Sequence, residues 1–298
     1  MDGFAFVLHP LDAKRDVARR YPLAAQLLPT ALIHFLARRW PPLLLSHIDQ
    51  VRSLQQGMKT QGWLLACPLS AGQMLNLPPQ AVYDKVVQAG RLGQRHGAGI
   101  LGLGAFTSVV GDGGVTVAQR LNMPVTTGKS LTVASALEAL GRGAENRGLA
   151  LETATVAVVG GSGSIGLACA EMLAPMVGRL VLVGRREIRL SQARAQAEAA
   201  GAADVRVSTE LADVATADVV LSATSSSRPV LTARHLKKNV IVCDVALPRD
   251  VDPSVSRDRS DVLVIDGGMV GLPGMLDLGF ELGLPAGRIS ACMAEVII

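Results

Sequence analysis

Five strand-forming residues, Thr155-Val156-Ala157-Val158-Val159, run directly into Gly160-Gly161-Ser162-Gly163-Ser164-Ile165-Gly166, and an apolar, helix-forming stretch follows at once. This order, strand then GxGxxG then helix, constrains the fold more than anything else in the chain. Gly161 makes the turn and Gly163 lets the backbone approach a pyrophosphate. Gly166 lets the helix lie close to the strand, and the N–H groups at the helix N-terminus then face the phosphates. Ser162, Ser164 and Ile165 complete the candidate cofactor loop. The uncharged run from 153 to 170 is long enough for a membrane span, but the glycines at its centre make it a turn instead.

The alternation continues. Strands are predicted at 179–183, 205–207, 218–222, 240–244 and 262–265, with helices over 164–177 and 187–200. Strands separated by helices imply parallel β-α-β units and a Rossmann-type, doubly wound parallel sheet. The first half alternates less regularly. Strands are expected at 4–8, 43–48, 63–67, 100–103 and 125–127, and helices at 12–28, 30–39 and 79–96. The fold class is therefore α/β, with an N-terminal α/β substrate domain over 1–125. A connecting helix region follows over 126–152, and the dinucleotide domain covers 153–298, its last helix a candidate to pack back on the first domain. A length of 298 residues, 49% of them hydrophobic, suits two such cores.

The end of the second strand of the dinucleotide domain selects the cofactor. An NAD site usually places Asp or Glu there for the ribose 2′-hydroxyl. Here the residues are Val183-Gly184-Arg185-Arg186, and the first carboxylate is Glu187. Two guanidinium groups suit a 2′-phosphate, so NADP(H) is expected over NAD(H). Solvated arginines at a helix start remain the plainer reading. Thr224, just after the strand ending at Ser222, is a further cofactor-contact candidate.

Several chemistries are excluded. The short-chain dehydrogenase pattern needs Lys four residues after Tyr, but Tyr21 and Tyr83 are followed at that spacing by Ala25 and Val87. Gly128-Lys129-Ser130 ends like a nucleotide-triphosphate loop, yet the glycine that loop requires at position 123 is Met123. Lys129 is left as a helix-start residue with an open role towards substrate or cofactor. Cys67, Cys169, Cys243 and Cys292 contain no CxxC pair, so no metal site is expected. Four separated cysteines fit thiols in a reducing compartment, and the start of the chain has no secretory character, so a cytoplasmic location is expected. Aromatic residues are 3% of the chain, too few for base stacking, and no nucleic-acid partner is expected.

Charge is uneven. Residues 1–150 carry 15 Lys and Arg against 8 Asp and Glu; residues 151–298 carry 14 against 17. The basic half suits an acidic partner, with Arg19-Arg20 and Arg38-Arg39 as candidate positions, or is an ordinary solvated surface. By residue type alone Cys292, among small residues in Ser290-Ala291-Cys292-Met293-Ala294-Glu295, is either buried packing or a nucleophile.

Taken together the residues resemble the cyanobacterial long-chain acyl-[acyl-carrier-protein] reductases and their bacterial relatives along nearly the whole chain. Leu103-Gly104-Ala105-Phe106-Thr107-Ser108-Val109-Val110 looks like the family's GGFTS segment, and Thr126-Thr127-Gly128 like its TTGN segment. Asp266-Gly267-Gly268 looks like a late GG turn, and Ala291-Cys292-Met293-Ala294-Glu295 like ACFAE. Lys129 stands in place of the family's Asn and Met293 in place of its Phe; the segment Asp244-Val245-Ala246-Leu247-Pro248 also departs from the pattern.

The resemblance implies that Cys292 is the acyl-accepting nucleophile. It implies NADPH-dependent reduction of an acyl thioester to a fatty aldehyde, with an acyl carrier protein or acyl-CoA as donor, and a fold similar to glutamyl-tRNA reductases. Thr107 and Ser108 then suit donation to the acyl carbonyl, and equally suit ordinary turn hydroxyls. Glu295 would raise the Cys292 pKa and is not an activator. A shikimate- or amino-acid-type NADP dehydrogenase without a covalent step, in which Lys129 carries more weight, stays open, as does a non-catalytic NADP-binding module. The chain is expected not to be an integral membrane protein, and a homo-oligomer stays open.

Overall fold

The computed structural model describes residues 3–10, 12–52, 59–272 and 276–298; of residues 13, 19, 20, 24, 50 and 52 it describes the backbone only. The candidate positions Arg19 and Arg20 thus lie outside the described side chains. The chain divides into two compact units, Met1–Gly128 with Gly271–Ile298, and Lys129–Val270.

The first unit is built on five strands: β1 (Gly3–Leu8), β2 (Leu43–Arg52), β3 (Lys59–Ala66), β4 (Ala98–Leu103) and β5 (Val125–Thr126). Their order is β2-β3-β1-β4-β5, with β2 antiparallel to β3 and the other pairs parallel. The helix Pro79–His96 begins with proline at its first turn, where no N–H is needed, and ends at Gly97 with φ of 97°. Val82, Val86, Val87, Ala89, Gly90 and Gly93 form its buried stripe at helical spacing. They join the core of Ala5, Val7, Leu65, Leu101 and Leu103.

One helix was expected over 12–28. The structure has two, Ala13–Arg20 and Pro22–Leu27. Pro22 disfavours the helical conformation at the residue before it, and Tyr21 accordingly takes φ −135° and ψ 69°.

The second unit contains β6 (Thr155–Val159), β7 (Arg179–Val183), β8 (Val205–Ser208), β9 (Val219–Ser222), β10 (Ile241–Asp244) and β11 (Leu263–Asp266). Its sheet order is β11-β10-β9-β6-β7-β8, parallel throughout. Counted from β6 this is the 3-2-1-4-5-6 order of a Rossmann sheet. Alternate residues of β6 feed the two faces: Val156 and Val158 enter one core, Ala157 and Val159 the other.

The boundaries differ from those expected. Helix Lys129–Asn146 is not a connector: Val133, Ala136, Leu140 and Ala144 are buried in the same core as Val156 and Val158. It belongs to the Rossmann sheet it covers. The final segment goes with the other sheet, a return for which the last helix is a candidate in the sequence. The last helix, Ala291–Ile297, packs on β1 and β4. Gly102 admits it, since a Cβ there would lie 3.2 Å from the Val296 Cβ and 2.5 Å from the Phe6 ring.

Candidate functional site

In the second unit β6 ends at Gly160, whose φ is 83°. Its N–H donates to the Val183 carbonyl at 2.8 Å, and the Gly163 N–H closes the turn on the Gly160 carbonyl at 2.8 Å. A Cβ at Gly160 would stand 2.6 Å from the Ala223 carbonyl, and one at Gly166 would overlap the Gly160 carbonyl. Gly161 sits over Leu182, with its Cβ position 3.3 Å from the Leu182 Cα. Gly160 and Gly166 are therefore required by space or by φ, and Gly161 is tightly seated. Gly163 precedes the helix Ser164–Leu173 without a side-chain cap, which leaves the first-turn N–H groups for another acceptor. Gly163 and Ser164 are exposed, Ser162 and Ile165 partly so. This cradle fits a dinucleotide pyrophosphate.

Arg185 and Arg186 follow β7, both exposed, and Arg186 precedes the helix Glu187–Ala199. Gly184 brings this end of β7 beside the glycine loop; its Cβ position is 3.4 Å from the Ser162 Oγ. The charged pair thus borders the cradle.

Thr224 is held by a residue the sequence reading passed over. The Thr224 N–H and hydroxyl donate to the two Asp250 carboxylate oxygens at 2.8 and 2.5 Å, and Ser222 Oγ donates to Asp250 at 2.7 Å. Asp250 is fully buried. Its neighbour Asp244, at the end of β10, accepts from the N–H groups of Ala246, Asp250 and Val251. Burial, and then the nearby Asp250, push the Asp244 carboxyl above its ordinary range. The Thr224 hydroxyl is spent on shaping the loop.

In the first unit Cys292 is the second residue of the last helix. Among the four cysteines it alone is partly exposed. Burial drives the Cys67 thiol to about 11 and those of Cys169 and Cys243 to about 12, so these three are inert packing. Burial also raises Cys292; its bond to Ser290 Oγ at 3.5 Å and nearby backbone N–H groups oppose that, while the Glu295 charge adds to it.

Two segments far apart in sequence meet at Cys292. Gly128, with φ of 67°, packs so tightly that a Cβ there would overlap the Cys292 backbone. Thr126 Oγ1 donates to Glu295 Oε1 at 2.5 Å and accepts from the Gly128 N–H at 3.2 Å.

The remaining candidates are placed as follows. Thr107 and Ser108 are buried in the turn after β4, and their hydroxyls donate to the Gly104 and Ala105 carbonyls at 2.7 Å each. That is the geometry of turn hydroxyls. The same turn is anchored by His9, whose Nε2 accepts from the Phe106 N–H at 3.3 Å while Nδ1 lies 3.1 Å from the Pro10 carbonyl. Burial holds the His9 pKa down, so the ring stays neutral. Lys129 opens its helix half-buried, and desolvation lowers its ammonium pKa.

The sheet order and the glycine cradle define the second unit as a dinucleotide-binding domain of the NAD(P)-dependent oxidoreductase type. A family-model match agrees with this. The family model for shikimate / quinate 5-dehydrogenase matches residues 143–267, inside this unit. Across more of the chain, it is 31% identical over 249 residues to the aminotransferase PigE of a Serratia species, a match covering 81% of this chain and 29% of that protein. It is 26% identical over 227 residues to the long-chain acyl-[acyl-carrier-protein] reductase of Synechococcus elongatus, covering 72% of this chain and 65% of that one. The chain therefore spans less than two thirds of either relative. Glutamyl-tRNA reductase from Methanopyrus kandleri is similar at 24% identity and a TM-score of 0.34, over 63% of this chain and 46% of that one.

Proposed function

We propose that the protein reduces an acyl thioester to an aldehyde through an acyl-enzyme on Cys292, with NADPH as reductant. The observation that carries this reading is the seat of Cys292. It is the one cysteine of the four that is not fully buried, and Gly128 and the Thr126–Glu295 bond clasp its helix. The similarity to the Synechococcus reductase supports it.

Cys292 sulfur attacks the thioester carbonyl carbon. The new carbon–sulfur bond replaces the bond to the carrier, and the carrier thiol leaves with the proton from Cys292. The exchange is thioester for thioester, so the protein's task is alignment and deprotonation rather than driving force. Burial keeps Cys292 largely protonated at neutral pH, so proton loss accompanies attack. NADPH, held at Gly161, Gly163 and Gly166 with its 2′-phosphate on Arg185 and Arg186, would supply the hydride that the acyl carbon needs. Breaking the bond to Cys292 then frees the aldehyde and leaves the thiolate, which takes a proton from solvent to return the thiol. Acyl carrier protein and acyl-CoA both present the required thioester. Thr107 and Ser108 would have to give up their turn bonds to donate to the acyl carbonyl.

A dehydrogenase without a covalent step is the second reading. The shikimate / quinate 5-dehydrogenase match favours it, and that match ends before Cys292. Incubation with a long-chain acyl thioester, followed by intact mass measurement, separates the two. An acyl adduct in the wild type, absent in Cys292→Ser, together with NADPH-dependent aldehyde is expected. Undiminished turnover in Cys292→Ser would overturn the covalent reading.

A further inference from the structure

Two short helices near the start of the first unit carry several large apolar side chains on the outside. On Pro22–Leu27, Leu23 and Leu27 lie one turn apart and are 72% and 80% exposed. Ala25, about 200° around the helix from Leu23, is the residue turned inward, at 3%. On Thr30–Arg39 Ile33 is buried, while Leu32 and Phe35 are 39% and 52% exposed. The Arg39 guanidinium lies 4.2 Å from the centre of the Phe35 ring. Tyr21 and Trp40, at the ends of these segments, are exposed as well. Helix Ala13–Arg20 packs against both others, so the three form one lobe.

The lobe is also basic. Residues 12–40 contain six Lys and Arg against two Asp and no Glu. Lys14, Arg15, Arg38 and Arg39 are exposed. We propose that this lobe docks on a membrane surface containing anionic phospholipid.

Charge and shape select that occupant. Exposed leucine and aromatic side chains beside exposed lysines and arginines suit a surface segment lying in the headgroup region. Tyr and Trp rings, apolar with a polar edge, favour the same depth. Among the described residues no helix is long and apolar enough to cross a bilayer, so the contact is peripheral. A second copy of the chain fits poorly, because a two-fold contact would set the same basic residues against each other. An acidic carrier protein would satisfy the charges and leave Leu23 and Leu27 in water. Surface docking would bring the protein to aliphatic chains, yet binding to lipid can be read without any substrate.

The test is co-sedimentation of the full chain with vesicles of phosphatidylcholine containing phosphatidylglycerol, alongside phosphatidylcholine alone. Binding to the anionic vesicles that weakens with salt is expected. Arg38→Gln with Arg39→Gln should weaken it about 25-fold, taking about fivefold for each charge near the surface. Leu23→Asp with Leu27→Asp should weaken it at least about tenfold, with circular dichroism confirming the fold. If that pair unfolds, Leu27→Ser and the arginine pair still decide. Absence of vesicle binding, or binding unchanged in both sets of variants, overturns the proposal. So does capture of an acyl carrier protein with vesicles ignored, or a dimer that the leucine variants dissociate without any lipid binding.

Discussion

Gly128 and Cys292 touch backbone to backbone, so closely that no side chain fits at position 128. Its φ of 67° adds a second barrier, because a Cβ is strained in the left-handed region. The Thr126-Thr127-Gly128 segment and the last helix therefore determine each other's position. Gly128→Ala should cost about 1–3 kcal/mol of stability and should slow alkylation or acylation of Cys292. Urea unfolding and the rate of reaction with iodoacetamide measure the two effects separately. A variant with unchanged stability and unchanged thiol reactivity would contradict the contact.

Cys292 reactivity should depend on pH in a way that identifies Glu295. Burial is the main reason its thiol titrates above the ordinary value, and the Glu295 charge raises it further. A raised thiol pKa keeps the unreactive form dominant until higher pH, so the alkylation rate should climb on the alkaline side of a free cysteine. Glu295→Gln removes the charge while retaining an oxygen for the Thr126 hydroxyl. Its alkylation midpoint should move towards lower pH. Thr126→Val keeps the charge and removes the hydroxyl that the Gly128 N–H donates to, so it should loosen the clasp without that acid shift. Superimposable profiles for wild type and Glu295→Gln would sink the assignment.

What was legible in the sequence was local. The run 155–159 and the glycines after it announce their strand, turn and helix because each requirement is met within a dozen residues. Pro22 likewise carries a local signal, and a helix drawn through it was a misreading of that signal. The return of the last helix to the first sheet is a candidate in the sequence, but no local mark decides it. It depends on Val296 finding the gap beside Gly102, which only the assembled sheet creates. The fate of Lys129–Asn146 was hidden for the same reason, since an amphipathic helix does not declare which sheet it covers. Asp250 shows the limit at the site itself. A carboxylate in a polar loop reads as solvated until the fold buries it and aims Ser222 and Thr224 at it.

Asp250 should behave as a structural acceptor for the loop beside the cradle. It receives three hydrogen bonds, two of them from Thr224. Asp250→Ala would leave the buried Ser222 hydroxyl without this partner, at about 1–3 kcal/mol before relaxation, and would free the partly buried Thr224 donors. A loss of about 2–4 kcal/mol is expected overall. Because the Ala223 carbonyl abuts Gly160, disorder in this loop should reach the glycine turn and weaken NADPH binding. Thr224→Val should be milder, since Ser222 and the Thr224 N–H still bind Asp250. Denaturant midpoints and NADPH titration by fluorescence rank the variants; Asp250→Ala matching wild type in both would refute the role.

Arg185 and Arg186 provide the sharpest test of cofactor choice. Both are exposed, neither has an ion-pair partner among the described residues, and they border Ser162 of the glycine loop through Gly184. Each is free to meet a 2′-phosphate, which NADPH carries and NADH lacks. A charge-assisted hydrogen bond contributes about 1.5–3 kcal/mol, less at a solvated site where screening is strong. Replacing both with Ala should therefore weaken NADPH by at least about tenfold while leaving NADH affinity nearly as it was. The difference should shrink as salt is added, because exposed charges are screened. Parallel titrations of the two cofactors against wild type and the double variant measure it. Equal weakening of NADPH and NADH would assign the arginines to the shared part of the dinucleotide, and no weakening of either would return them to the solvated surface.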